Sequence, residues 1–274
     1  MKKTRKPSVS GYFYPGDKSE LVSNLRQYII AERDKISAIG AICPHAGYIY
    51  SGKTAGKVYG KIIPPETAII IGPNHHGYGE PYAIDENDYW ESPLGLVEID
   101  DEIRKKLLAH SRYLQSDSTA HIAEHSIEVQ VPFLQYINPD IKIVPVVLSS
   151  YHDANPWYEI GYTIGLVLSE CKKTIMVVAS SDFTHYEPAE DAEKKDKLAI
   201  GAILQLDADN FLTIVSENDI SICGFAPIVT VITAAKVLGA KKGILVDYSH
   251  SGQVSGDSQQ VVGYAGIILD KELK

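Results

Sequence analysis

Three histidine-bearing turns in this chain each follow a short apolar run. Residues 38–43 (AIGAIC) lead into Pro44-His45-Ala46-Gly47-Tyr48. Residues 67–71 (TAIII) lead into Gly72-Pro73-Asn74-His75-His76-Gly77, and residues 174–179 (TIMVVA) into Ser180-Ser181-Asp182-Phe183-Thr184-His185-Tyr186. Each run has the length and composition of a buried strand. In open α/β sheets the carboxyl ends of the strands share one rim, and ligands bind there. His45, His75, His76, Asp182 and His185 are therefore expected at one edge. Neutral imidazole is the commonest protein metal ligand, and two or three imidazoles on one rim suit Zn, Cu, Fe or Ni. The other reading of the same groups is a metal-free general acid–base pair.

Cys223 stands in Ser221-Ile222-Cys223-Gly224, just before a helix expected to open near Pro227. Proline suits a first helical turn. A cysteine near a helix N-terminus has its thiolate favoured by the dipole and the free N–H groups, so Cys223 is either a packing residue or a ligand or nucleophile. Cys43, inside a strand, and Cys171, near a helix end, read as packing residues. Glu124-His125-Ser126-Ile127-Glu128 reads as the start of a helix ending near Tyr136, with Glu124 and Glu128 on one face. Glu124 also suits a solvated first turn. The second histidine of a zincin helix is missing. No P-loop, no G-x-G-x-x-G and no G-x-S-x-G elbow occurs, which argues against a nucleotide cradle and a serine hydrolase. The polar, glycine-rich stretch 249–257 reads as a hairpin loop able to cover the rim.

Around these groups, short β-rich runs alternate with amphipathic stretches. Further strands are expected at 141–148, 242–248 and 261–269, with Pro145 indicating a bend or an edge position. Helices are expected at 53–62, 157–169, 189–205, 207–216 and 226–238, the last stopped by Gly239. Residues 82–98 read as a hairpin excursion or an insertion. Alternation of this kind predicts a three-layer α/β/α fold around a mostly buried sheet. Short connections predict one domain over residues 1–274.

Composition narrows the function further. The chain has 274 residues, 45% of them hydrophobic, which is enough for a real core. Its formal charge is −9 and it has no basic cluster beyond the opening KKTRK, which reads as a solvated terminus. A nucleic-acid surface needs clustered Lys and Arg and is not expected. Neither a membrane span nor a secretory signal is expected. Three scattered cysteines do not make a disulfide framework, so a reducing, cytoplasmic setting is expected.

Taken in order, these motifs resemble the Memo (mediator of cell motility) family, whose prokaryotic members are called AmmeMemoRadiSam system protein B. The resemblance begins at Ser10-Gly11-Tyr12-Phe13-Tyr14-Pro15. It runs through the His45, His75, Glu124–Glu128 and Asp182–His185 motifs to Ile222-Cys223-Gly224 and Val262-Gly263-Tyr264-Ala265. It implies a fold similar to class III extradiol dioxygenases, which hold non-haem iron by two histidines and a carboxylate. It carries a metal-ligand set onto His45, His75 and Cys223, with Fe(II) or copper the expected ion and zinc an alternative. It carries catalytic roles onto His185, Asp182 and His125, while His76, Tyr50 and Glu124 are expected to meet the substrate. A thiolate in place of the carboxylate shifts preference toward Cu(I), Zn or thiolate-bound iron, so catechol cleavage does not carry over. The implied function is a metal-dependent oxidoreductase of unknown substrate. The alternatives are a non-catalytic module binding a peptide or small anion, and a zinc-dependent hydrolase. The implied partners are a small molecule or peptide, an AMMECR-like protein and a radical SAM protein.

Overall fold

A computed structural model describes residues 2–150 and 153–271. In chain order its strands are β1 (Thr4–Arg5), β2 (Gly40–Cys43), β3 (Thr67–Pro73), β4 (Tyr82–Ile84), β5 (Tyr89–Ser92), β6 (Gly95–Ile99), β7 (Gln115–Ser116), β8 (Lys142–Leu148), β9 (Ile175–Ser180), β10 (His185–Glu187), β11 (Lys242–His250) and β12 (Val261–Asp270). The helices are α1 (Lys18–Tyr28), α2 (Tyr48–Lys61), α3 (Asp101–His110), α4 (Val131–Ile137), α5 (Asn155–Ser169), α6 (Ala189–Leu204), α7 (Ala208–Glu217), α8 (Phe225–Val237) and the single turn α9 (Gly252–Ser255).

The strands form one mixed sheet in the order β1-β5-β6-β8-β3-β9-β2-β12-β10, with β11 paired to β12 and β4 to β8. The centre, β6-β8-β3-β9-β2, is parallel. β12 returns antiparallel beside β2. Side chains alternate across the central strands. Ile42, Ile69, Ile71, Val144, Val146 and Val177 pack with α3, α5, α6, α7 and α8 on one face. Ala41, Cys43, Ala68, Ile70, Ile143 and Val178 pack with α1, α2 and α4 on the other. A strand buried on both faces reads as an unbroken apolar run, as the sequence does here, and the result is three layers, α/β/α.

Two expectations change. Pro145 lies inside the sheet, opposite Ile70 of β3, not at an edge. Its carbonyl accepts from the Asp85 N–H on the other side. That is the place where β6, paired through Ile143, gives way to β4, paired from Val146. The missing proline N–H thus points at a change of neighbour, where no ladder bond is lost. The opening basic stretch is not wholly a solvated terminus. Thr4–Arg5 pairs with β5, and Arg5 is buried.

Candidate metal centre

β9 sits between β3 and β2, with Ala179 beside both Ile71 and Ile42. The three turns that follow these strands are therefore neighbours on one rim. Cys43 and Ser180 are register partners, so the chains just beyond them stay side by side. Asp182 Oδ1 accepts from the His45 N–H at 2.7 Å and the Ala46 N–H at 3.3 Å.

The imidazoles of His45, His75 and His125 converge there, each offering a nitrogen within 4.8 Å of the others'. The His45 ring stands edge-on to the other two, which stack at a centroid distance of 4.7 Å. The hydrogen bonds set the state of two rings. The Ser180 hydroxyl spends its proton on the Ser126 carbonyl at 2.6 Å. Toward His45 Nδ1, at 3.1 Å, it can only accept. His45 thus carries its proton on Nδ1 and presents a bare Nε2 lone pair. Glu124 does the same for His75, its Oε1 accepting from Nδ1 at 2.9 Å and its Oε2 from the His75 N–H at 2.8 Å. Burial opposes the Glu124 charge, but the bond from His75, the nearby His75 and His125 rings and the Ser126 N–H outweigh it and hold the carboxyl well below its usual range. Burial, then the neighbouring imidazoles, push His45 down as an acid, and burial lowers His125 to about 4, so both stay neutral near pH 7. Ligating histidines characteristically give their second ring nitrogen to a carboxylate or other acceptor. Two rings held in this way beside a third are a donor set that fits a metal ion.

Cys223 lies at the border of this cluster. Its Sγ is 3.3 Å from His45 Nε2, and it accepts from the Asp182 N–H at 3.3 Å. The close approach depends on Gly224: a Cβ there would stand 2.4 Å from Ser181 Cβ, and the Gly224 N–H bonds Ser181 Oγ at 3.0 Å. The helix-dipole expectation for a thiolate does not hold for the metal-free protein, because burial and then Asp182 push the thiol up. The three residues whose ligand atoms all lie within 4.8 Å of one another are histidines, so His125 joins His45 and His75, with Cys223 beside His45.

The cluster forms the floor of a cavity of about 580 Å³, and Asp182, His185 and Tyr50 are among its walls. Burial raises the Asp182 carboxyl to about 6, against the pull of the His45 N–H and His185. His185 Nδ1 lies 2.8 Å from the Ser221 carbonyl, which can only accept. Phe13, on the N-terminal segment, packs against His125 with ring centroids 4.8 Å apart and the planes tilted by 47°. The predicted cover is present: Ser251, Ser255 and Asp257, in and around α9, also line the cavity. His76 is not among the lining residues; it is exposed and stacks on Tyr78.

A family model described as "Memo-like protein" matches residues 5–268. A MEMO1 family protein of Aquifex aeolicus is 45% identical over 272 residues, covering 97% of this chain and 99% of its own. One from Methanosarcina barkeri is 42% identical, covering 97% and 100%. The chain belongs to the Memo family. Among solved structures, an uncharacterized protein of Escherichia coli K12, JW3007, shares the fold with a TM-score of 0.55 at 13% identity, over 82% of this chain and 98% of that one.

Two further differences concern how this Memo-family chain builds the site. Glu124 and His125 do not begin a helix. They sit in the turns ahead of a 3₁₀ turn at Glu128–Gln130, and α4 starts at Val131. Glu124 and Glu128 therefore face different partners. Glu124 serves His75, while Glu128 accepts from Arg5 at 2.8 Å, Tyr14 at 2.7 Å, the Ser8 N–H at 2.8 Å and the Val9 N–H at 3.0 Å. Arg5 also donates to the carbonyls of His121 and Glu124 and lies over the Trp90 ring at 4.1 Å. The N-terminal segment is thus a strap that pins the turn carrying Glu124 and His125. Sequence reasoning passed over Arg5 because a basic residue near a terminus is usually solvated. Its only signal was a break in the KKTRK run by Pro7 and the apolar residues after it. Among the described residues, no helix is long and apolar enough to cross a membrane.

Proposed function

We propose that this protein binds one redox-capable metal ion, iron or copper, and acts as a metal-dependent oxidoreductase on a small molecule. The observation that carries the reading is the pair of imidazoles, His45 and His75, each held through Nδ1 by an acceptor and set beside His125. His45, His75 and His125 would hold the ion, and Cys223, 3.3 Å from His45, would join as its thiolate when the ion displaces the thiol proton. The bound ion would supply a Lewis-acidic, one-electron centre open to the cavity. His185, held through Nδ1 by the Ser221 carbonyl, leaves Nε2 to take a proton from a bound ligand. Asp182, raised to about 6, can exchange a proton near neutral pH.

Elemental analysis of untagged protein, prepared with and without air, tests the reading. Stoichiometric iron or copper, lost in His45→Ala and reduced in both His125→Ala and Cys223→Ser, supports it; folded protein that takes up no iron, copper or zinc refutes it. The all-nitrogen cluster also suits zinc with an open fourth position, as in zinc hydrolases. Stoichiometric zinc under both preparations, with no redox signal by electron paramagnetic resonance after metal exchange, decides for that reading.

A further inference from the structure

The cavity wall has a chemistry of its own, separate from the imidazole floor. Four aromatic rings contribute to it: Phe13, Tyr50, Tyr186 and Tyr264. Tyr264 is buried, but Tyr50 is 40% exposed and Tyr186 73% exposed. Large aromatic side chains left open at a cavity mouth mark binding surfaces. Tyr186 is held there at a cost, because its backbone is left-handed, φ 59°. A bulky residue rarely adopts that conformation, and such strain is retained chiefly at functional positions.

Besides four histidines, the carboxylates of Asp182, near the floor, and Asp257, on the covering loop, line the cavity, and among the described residues no lysine or arginine does. Asp257 is exposed, its Oδ1 accepting from the Gln259 N–H at 2.8 Å and its own N–H donating to Ser255 Oγ at 3.2 Å. Recognition of phosphate or carboxylate by side chains normally uses arginine or lysine. Aromatic faces beside carboxylates are the setting for ammonium groups, through cation–π attraction and charge-assisted hydrogen bonds. A volume of about 580 Å³ is in the range of small-molecule pockets.

We propose that the ligand of this cavity is an aromatic amine, its ring among Phe13, Tyr50, Tyr186 and Tyr264 and its ammonium group toward Asp257. The inference rests on reading this cavity as the ligand site, and it concerns the wall and not the ion. Without the ion, an anionic ligand such as a phosphorylated or carboxylated phenol is disfavoured by the same carboxylates.

The test uses three phenols of similar size as calorimetric probes: tyramine, neutral 4-ethylphenol and anionic 4-hydroxyphenylacetate. Each is titrated into chelator-treated full-length protein and again into protein loaded with metal. The expected order is tyramine, then 4-ethylphenol, then 4-hydroxyphenylacetate, with tyramine favoured over the anion by about tenfold without metal. Asp257→Asn should remove most of that preference, and Tyr186→Ala should weaken tyramine and 4-ethylphenol alike. Equal or tighter binding of the anion to the metal-free protein, an unchanged preference in Asp257→Asn, or no binding of any probe overturns the proposal. Failure of the metal reading would appear in the elemental analysis and leave the metal-free titration order untouched, so the two can fail separately.

Discussion

Glu124→Gln puts the proposed metal centre to its sharpest test. The Glu124 carboxylate is 1% exposed, and it accepts from three donors: the His75 N–H at 2.8 Å, His75 Nδ1 at 2.9 Å and the Ser126 N–H at 2.9 Å. Glutamine offers one oxygen and one NH2 in the same space. If the oxygen takes the Oε1 place, the NH2 faces the His75 N–H, donor against donor. If the amide is turned over, the NH2 faces both the Ser126 N–H and His75 Nδ1. The His75 ring then lowers its energy by moving its proton to Nε2, which removes the lone pair that would bind metal. Each orientation leaves at least one buried donor unpaired, at about 1–3 kcal/mol. The loss of the carboxylate partner predicts metal binding weaker by about 10- to 100-fold, equivalent to about 1.4–2.8 kcal/mol. Cobalt(II) absorbance with chelator competition measures this on wild type and variant in one buffer, and circular dichroism confirms that the variant is folded. Folded Glu124→Gln that binds cobalt within about threefold of wild type would show that Glu124 does not set the His75 tautomer.

The strap gives two further predictions. Arg5→Leu removes the cationic partner of buried Glu128 and should cost about 3–5 kcal/mol, a fall in Tm of about 6–20 °C; an unchanged melting curve would place the strap outside the folded unit. Burial works against the Glu128 charge, but Arg5 and the bonds from Ser8, Val9 and Tyr14 lower its folded pKa below the usual 4.5. Its stabilising contribution is therefore full above pH 4.5 and lost as pH falls through the folded value. Urea midpoints measured between pH 6 and pH 3 should drop steeply in wild type and less in Glu128→Gln, and parallel curves would contradict the assignment. Gly263→Ala would set a Cβ 2.0 Å from Asp196 Oδ2. Asp196 Oδ1 holds the Thr184 N–H and hydroxyl just ahead of His185. Overpacking of this kind costs about 1–3 kcal/mol, and chemical denaturation that finds no loss would show that the β12 backbone can yield there.

The elements and the site were legible to different depths. The strand-to-turn junctions at His45, His75 and Asp182 could be read directly, because buried parallel strands are unbroken apolar runs and their carboxyl ends must share a rim. Membership of the Memo family was legible for a related reason, since the motifs keep their order and spacing over nearly the whole chain. Helix starts were less accurate. Tyr48-Ile49-Tyr50 looks like loop, yet α2 begins at Tyr48, because the Tyr48 N–H is bonded to the Phe13 carbonyl of the strap at 2.7 Å.

Residue types and local periodicity by themselves determined the layered α/β class and the edge on which His45, His75 and His185 stand. They did not determine which groups meet. His125 reaches the cluster from a turn that belongs to no strand, held by Arg5 from 119 residues away in the Arg5–Glu124 carbonyl bond. Glu124 and Glu128, four apart, serve different partners because the chain between them is not helical. Cys223 comes to 3.3 Å from His45 because Gly224, with no side chain, lets the chain pack on Ser181. Distances of this kind come from long-range packing, which a one-dimensional pattern does not encode: periodicity reports which face of an element is buried, not which distant side chain it is buried against.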